Sequence, residues 1–142
     1  MDVYNKEDED EAELSEKEKK TRATNIRNTM GIMGKLHNIV VHIRASANRT
    51  QHFIKLAGKR IPLDNHTRWN SWFYMLERAL CPEIQSALNQ YVQEWSQVTQ
   101  GGIDKRDILS IDDWIQLRTI SDFLSYFEGA TKFMQGKEAT LE

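Results

Sequence analysis

A short run near the middle of the chain carries the residue types that contact nucleic acids. Residues 67–70 read Thr-Arg-Trp-Asn, and a Lys-Arg pair and a further arginine precede them. Arginine, lysine, threonine and asparagine donate hydrogen bonds to phosphates and base edges, and an indole ring stacks on unpaired bases. The candidate nucleic-acid-binding residues are Arg44, Lys59, Arg60, Thr67, Arg68, Trp69 and Asn70.

The aromatic residues of this run have a second interpretation. Trp69, Trp72 and Phe73 recur at helical spacing with Leu76 and Leu80, as residues do on the buried face of an amphipathic helix. We expect Trp72 and Phe73 to be core residues. For Trp69 both interpretations stay open, because side chains in the first turn of a helix are the least enclosed.

The sequence contains no complete catalytic or metal-binding set. The four histidines lack the paired spacing of zinc ligands, and Cys81, the single cysteine, lies at a helix junction. The adjacent Asp112 and Asp113 fit the N-terminus of a helix, where acidic side chains stabilise the dipole. We predict no catalytic residue, no metal site and no small-molecule substrate. No apolar run approaches the ~20 residues that span a bilayer, so we expect no membrane contact either.

Charge is unevenly distributed along the 142 residues. Residues 1–22 hold nine acids and five bases, residues 23–68 hold eight bases and one acid, and residues 79–142 hold five bases and ten acids. A net charge of +7 within 46 residues predicts a polyanion-binding stretch. The alternative, a solvated helix face that happens to be basic, is equally compatible with this composition.

The elements that must position these residues are all helical. Residues 1–30 are predicted to be a disordered charged tail, 31–136 a helical domain and 137–142 a C-terminal tail. Apolar residues at helical spacing predict helices over about 34–57, 68–80, 82–97 and 111–135, and Gly136 is expected to end the last one. No segment alternates as a strand does. We therefore predict an all-α fold, a small irregular bundle of about four helices.

The same run resembles a known family. Residues 67–71 (TRWNS) followed by 75–80 (MLERAL) are similar to a signature of hAT-superfamily transposases, named for the hobo and Activator elements. Residues 34–45 resemble the segment that precedes this signature in fungal members. The resemblance covers about residues 31–142, and its most specific part is the TRWNS block with MLERAL behind it.

The resemblance implies a catalytic core that lies largely outside this segment. In the family an RNase H-like core holds divalent metals, Mg²⁺ or Mn²⁺, through three carboxylates, and an α-helical insertion interrupts that core. This chain resembles the start of the insertion, so we expect it to have no cofactor and to neither cleave nor join DNA alone. The family's Arg-Trp pair, which is associated with a DNA hairpin or flipped base, maps onto Arg68 and Trp69.

Two functional hypotheses follow. The first is a fragment or remnant of an hAT-like transposase that contributes to DNA positioning in the intact parent. Its partners would be DNA, bound weakly and nonspecifically by the chain alone, and the remaining transposase segments, and its implied location is the nucleus. The alternative is a helical protein-interaction module without a nucleic-acid role.

Overall fold

The computed structural model describes residues 15–59 and 69–141 of the protein. These residues fold into six α-helices and one short 3₁₀ turn, and none of them is in a strand. The helices are α1 (Glu16–Met30), α2 (Ile32–Arg44), α3 (Ala47–Ala57), α4 (Trp69–Ala79), α5 (Pro82–Trp95) and α6 (Ile111–Leu141), and the 3₁₀ turn is Lys105–Asp107. The all-α prediction is confirmed, whereas the expected number of about four helices is too low.

The first additional helix is α1, which occupies residues expected to be tail. Ser15 caps it by accepting a hydrogen bond from the Glu18 backbone N–H at 3.2 Å. None of its residues is buried, so α1 lacks the buried apolar stripe from which the other helices were predicted. It packs against α2 at Gly34, where a Cβ atom would lie 2.5 Å from the Ile26 carbonyl oxygen. Residues 1–14 of the predicted tail lie outside the described part.

The second additional helix results from a break within the predicted helix over 34–57. Ser46 has an extended backbone and caps α3, so α2 ends at Arg44. The hydroxyl of Thr50 donates to the Ile43 carbonyl oxygen at 3.0 Å, which satisfies one of the last carbonyls of α2. Within α3, Phe53 and Ala57 are buried and Ala47 is exposed.

The core is built around α2, which contacts α1, α3, α4 and α6, while α5 packs on α3 and α4. Tyr91 is fully buried in α5, and Leu36 of α2, Leu76 of α4 and Leu117 of α6 are equally enclosed. Pro82 stands in the first turn of α5, as predicted for a proline that starts a helix. Burial of these side chains fixes α4 between α2, α5 and α6.

The start of α6 is as predicted, and its end is not. Ser110 and Asp113 form a capping box, since each accepts a hydrogen bond from the other's backbone N–H, at 3.1 and 3.0 Å. The helix continues to Leu141, so Gly136 does not end it and the predicted C-terminal tail over 137–141 is helical. Phe127 is half-exposed, because α6 extends past the helices that cover its first turns.

Candidate nucleic-acid interface

Two of the seven predicted nucleic-acid residues stand at the start of α4. Trp69 and Asn70 are the first two residues of this helix, as the sequence predicts, and their side chains lie outside the described part. Arg60, Thr67 and Arg68 also lie outside the described residues. The structure therefore fixes the backbone positions of Trp69 and Asn70, and these positions belong to a helix that packs against the core.

α4 is anchored within one turn of Trp69. Phe73 is buried, and the ring of Trp72 stacks on the imidazole of His37 with 4.8 Å between centroids. The core role predicted for Phe73 is confirmed, whereas Trp72 is half-buried and packs against the edge of the core. Because these contacts begin three residues after the helix starts, the first turn of α4 has a fixed position relative to α2.

His37, the partner of Trp72, is held as a neutral imidazole. Burial lowers the pKa of His37 from 6.5 to about 4. Its Nδ1 atom is buried and has no hydrogen-bond partner in the structure. A neutral ring can stack flat on an indole without bringing a charge into the core, so this contact is structural.

Two cations of the basic stretch remain exposed. Lys55 lies in the last turn of α3, and Lys59 follows the helix after Gly58, whose backbone has the left-handed φ of 79°. Neither lysine takes part in an ion pair within the described residues. Arg44, the last residue of α2, is half-buried. The exposed cations therefore lie on the segment that leads toward α4.

Other cations of the basic stretch contact partners within the fold. Arg27 donates to both carboxylate oxygens of Asp107, from Nε at 2.7 Å and from Nη2 at 3.0 Å. Lys35 pairs with Asp113 at 3.3 Å. The guanidinium of Arg49 lies 5.0 Å from the ring centroid of Trp95. Folding brings acids from 104–113 to Arg27 and Lys35, whose charges are paired within the fold. Polyanion binding stays a prediction for the remaining bases of the stretch.

The Arg27 network was not expected from the sequence. The side chain of Arg27 is only 10% exposed and that of Asp107 6%, so the pair is buried. Asn38 also donates to Asp107, at 3.1 Å, and to the Ala23 carbonyl oxygen, at 3.0 Å. The hydrogen bond to Asp107 raises the pKa of Arg27. The two charges lie 80 positions apart in the sequence, and no local pattern links them.

A second polar cluster joins α2 to the loop after α5. His42 donates from Nε2 to the Gly101 carbonyl oxygen at 2.6 Å, because a carbonyl can only accept. Its Nδ1 atom therefore accepts from the Tyr91 hydroxyl, at 2.7 Å. Burial lowers the pKa of His42 to about 4 and raises that of Tyr91. The polar atoms of His42 and Tyr91 bond to each other and to the backbone, so this pair has a structural role.

The described residues present neither a cluster of metal ligands nor a membrane-spanning helix. Between 15–59 and 69–141, no three His, Cys, Asp or Glu side chains come close enough together to hold a metal ion. In the same ranges, no helix combines the length and the apolar character needed to cross a bilayer.

Comparison with known proteins identifies the family. The model of the ZBED1 RNase-like helical domain matches residues 20–123. The chain belongs to this family. The match begins in α1 and ends in α6, so the family's domain includes the helix expected to be tail as well as the Thr67–Asn70 block.

A fungal protein is also similar. The transcriptional regulator tpeD of Talaromyces stipitatus is 30% identical over 146 residues, which covers 99% of this chain and 16% of that protein. The chain thus spans about a sixth of this relative's length. No solved structure matches the chain.

Proposed function

We propose that the chain is part of an hAT-like DNA transposase, or of a regulator derived from one, and helps to position DNA in the nucleus. The observation that carries this proposal is the family match over residues 20–123, which includes the Thr67–Asn70 block. The name of the Talaromyces relative, a transcriptional regulator, fits a role on DNA. In this proposal the remaining segments of the parent protein are partners of the bundle.

The proposed contact surface is the start of α4. The first turn of α4 contains no acidic residue. Its backbone N–H groups lack partners within the helix, and the helix dipole adds positive potential there. Arg68 and Thr67 would contact phosphates, while Trp69 stacks on an unpaired base and Asn70 contacts a base edge. Exposed Lys59 adds a further phosphate contact.

The chain alone is proposed to bind DNA weakly and without sequence preference. Two cations of the basic stretch, Arg27 and Lys35, are neutralised by Asp107 and Asp113. Fewer cations are then left to release counterions from DNA, and that release supplies most of the nonspecific affinity.

The isolated chain is further proposed to neither cleave nor join DNA. Two-metal phosphoryl chemistry needs carboxylates that bracket ions about 4 Å apart, and the resemblance places those carboxylates in the RNase H-like core. Incubation of the pure chain with labelled DNA and Mg²⁺ or Mn²⁺ should leave the DNA intact. Metal-dependent nicking that disappears in Asp64→Ala would contradict this.

A salt titration tests DNA binding. Fluorescence anisotropy of a labelled DNA hairpin should show affinity that falls linearly with the logarithm of salt concentration. Lys59→Ala should reduce that slope by about 1, since it removes one phosphate contact. Lys105→Ala removes an exposed lysine from the 3₁₀ turn and should leave the slope unchanged. Absent binding at low salt would overturn the proposal.

Specific observations favour a second candidate, a protein-interaction module without a nucleic-acid role. A groove of about 1030 Å³ lies between α1, α4 and α6, and Ile26, Met33, Trp72 and Leu124 give it an apolar lining. Grooves and patches of this kind mediate association between proteins. The same titration separates the two candidates, because this module would not bind DNA in a salt-dependent manner.

A further inference from the structure

The outward face of α6 carries large apolar side chains that no described part of the chain covers. Ile111, Ile115 and Tyr126 are 81%, 60% and 79% exposed. At 3.6 residues per turn these positions return to one side of the helix, opposite buried Leu117. Apolar side chains aligned on one face of a helix are typical of a surface that packs against another helix.

Two opposite charges lie in the middle of this stripe. Arg118 and Asp122 are exposed, and both lie on the same side of the helix as Ile115 and Tyr126. The described structure shows no ion pair for either side chain. The stripe of α6, defined here as Ile111, Ile115, Arg118, Asp122 and Tyr126, is therefore apolar toward its ends, with one cation and one anion between.

The part of the stripe from Ile115 to Tyr126 is complementary to itself when reversed. Around a two-fold axis near residue 120, an antiparallel helix places Arg118 opposite Asp122 of the partner subunit, and Ile115 opposite the partner's Tyr126. Because the two subunits are related by the two-fold axis, each contact occurs twice in the dimer. A parallel arrangement in register would instead bring like charges together, which is unfavourable.

We propose that the stripe of α6 binds the same stripe of a second copy of this chain in the antiparallel orientation. The charge complementarity selects a second copy as the occupant, since each subunit presents both the cation and its matching anion at positions related by the two-fold axis. The proposal does not depend on DNA binding.

Charge reversal and its restoration test this interface. Sedimentation equilibrium of the full chain over a concentration series should show a monomer–dimer equilibrium. Arg118→Asp and Asp122→Arg should each weaken the dimer at least about tenfold, because like charges then meet twice. The double variant Arg118→Asp/Asp122→Arg should restore the original dissociation constant. A wild-type chain that is monomeric at every concentration, or a double variant as weak as the single ones, overturns the proposal.

Further variants make the result specific to the stripe. Glu77→Arg on α4 changes the charge as much as Asp122→Arg does and should keep the wild-type dissociation constant. Ile115→Asp should give a folded monomer, with helix content confirmed by circular dichroism. A dimer that survives Ile115→Asp and both charge reversals forms through another surface and contradicts the proposal.

Discussion

Individual residues in this chain show that a basic sequence does not by itself make a nucleic-acid surface. Arg27 lies in the stretch with the highest positive charge, yet its guanidinium binds the carboxylate of Asp107 inside the fold. Lys35 likewise binds Asp113, which also caps α6. These cations stabilise the arrangement of helices, so the residues left for a ligand are fewer than the count of bases suggests.

Asp107→Asn should reduce the free energy of unfolding by about 1–3 kcal/mol, because it removes the nearer counter-ion of Arg27 and leaves only Asp104, at 3.7 Å. Urea unfolding measures this loss. Glu77→Gln, at an exposed site on α4, should change stability by less than about 0.5 kcal/mol. An Asp107→Asn variant as stable as this control would contradict the role assigned to the ion pair.

Two buried histidines make stability depend on pH. In the unfolded chain a histidine has a pKa of about 6.5, whereas burial lowers the pKa of His37 and His42 in the fold to about 4. Between these values the unfolded state binds more protons, so stability falls as the pH decreases. Each histidine should contribute a loss of roughly 2 kcal/mol between pH 7 and pH 5.

Urea unfolding at pH 7 and pH 5 measures the histidine effect. His42→Gln retains a donor and an acceptor and should remove about half of the pH dependence, whereas Gln51→Ala, at an exposed uncharged position of α3, should retain it in full. Asp104, whose pKa Arg106 lowers to about 2, contributes only below about pH 4 and leaves this window unaffected. A stability that is flat between pH 7 and pH 5 would exclude neutral buried histidines.

At the scale of elements, local signals predicted helix starts well and helix partners poorly. The predicted helix starts near residues 82 and 111 depend on neighbours within one turn, at Pro82 and at the Ser110–Asp113 capping box, and both starts are confirmed. α1 depends on distant contacts. α1 has no buried residue and is held by Arg27 and by close approach to Gly34, which a search for apolar stripes does not detect.

Gly34→Ala tests the close contact between α1 and α2. The added Cβ would lie 2.5 Å from the Ile26 carbonyl oxygen, so the two helices must move apart. We expect a loss of about 1–3 kcal/mol in the free energy of unfolding. Gly129→Ala is the matched control, because a Cβ there meets no atom within 4 Å, and it should stabilise α6 by about 0.5–1 kcal/mol. Equal effects of the two substitutions would contradict this packing.

At the scale of the whole molecule, folding partly reverses the charge segregation seen along the sequence. Acidic residues between 104 and 113 form ion pairs with basic residues between 27 and 35. These ion pairs connect the loop before α6, and the start of α6, to α1 and α2. Lys55 and Lys59 stay exposed on the segment leading to α4. The apolar stripe of α6 lies on a different helix, so DNA contact and self-association are assigned to separate elements.

The central claim is that the first residues of α4 contact nucleotides, and Trp69→Ala tests it most directly. The measurement is the affinity of the wild-type and variant chains, by anisotropy at low salt, for a DNA hairpin with unpaired bases and for a duplex of equal length. Loss of stacking should weaken hairpin binding by ~1–3 kcal/mol and duplex binding less, whereas Tyr74→Ala, which removes an exposed ring from the next turn, should change neither. Unchanged affinity of Trp69→Ala for both DNAs would contradict the claim.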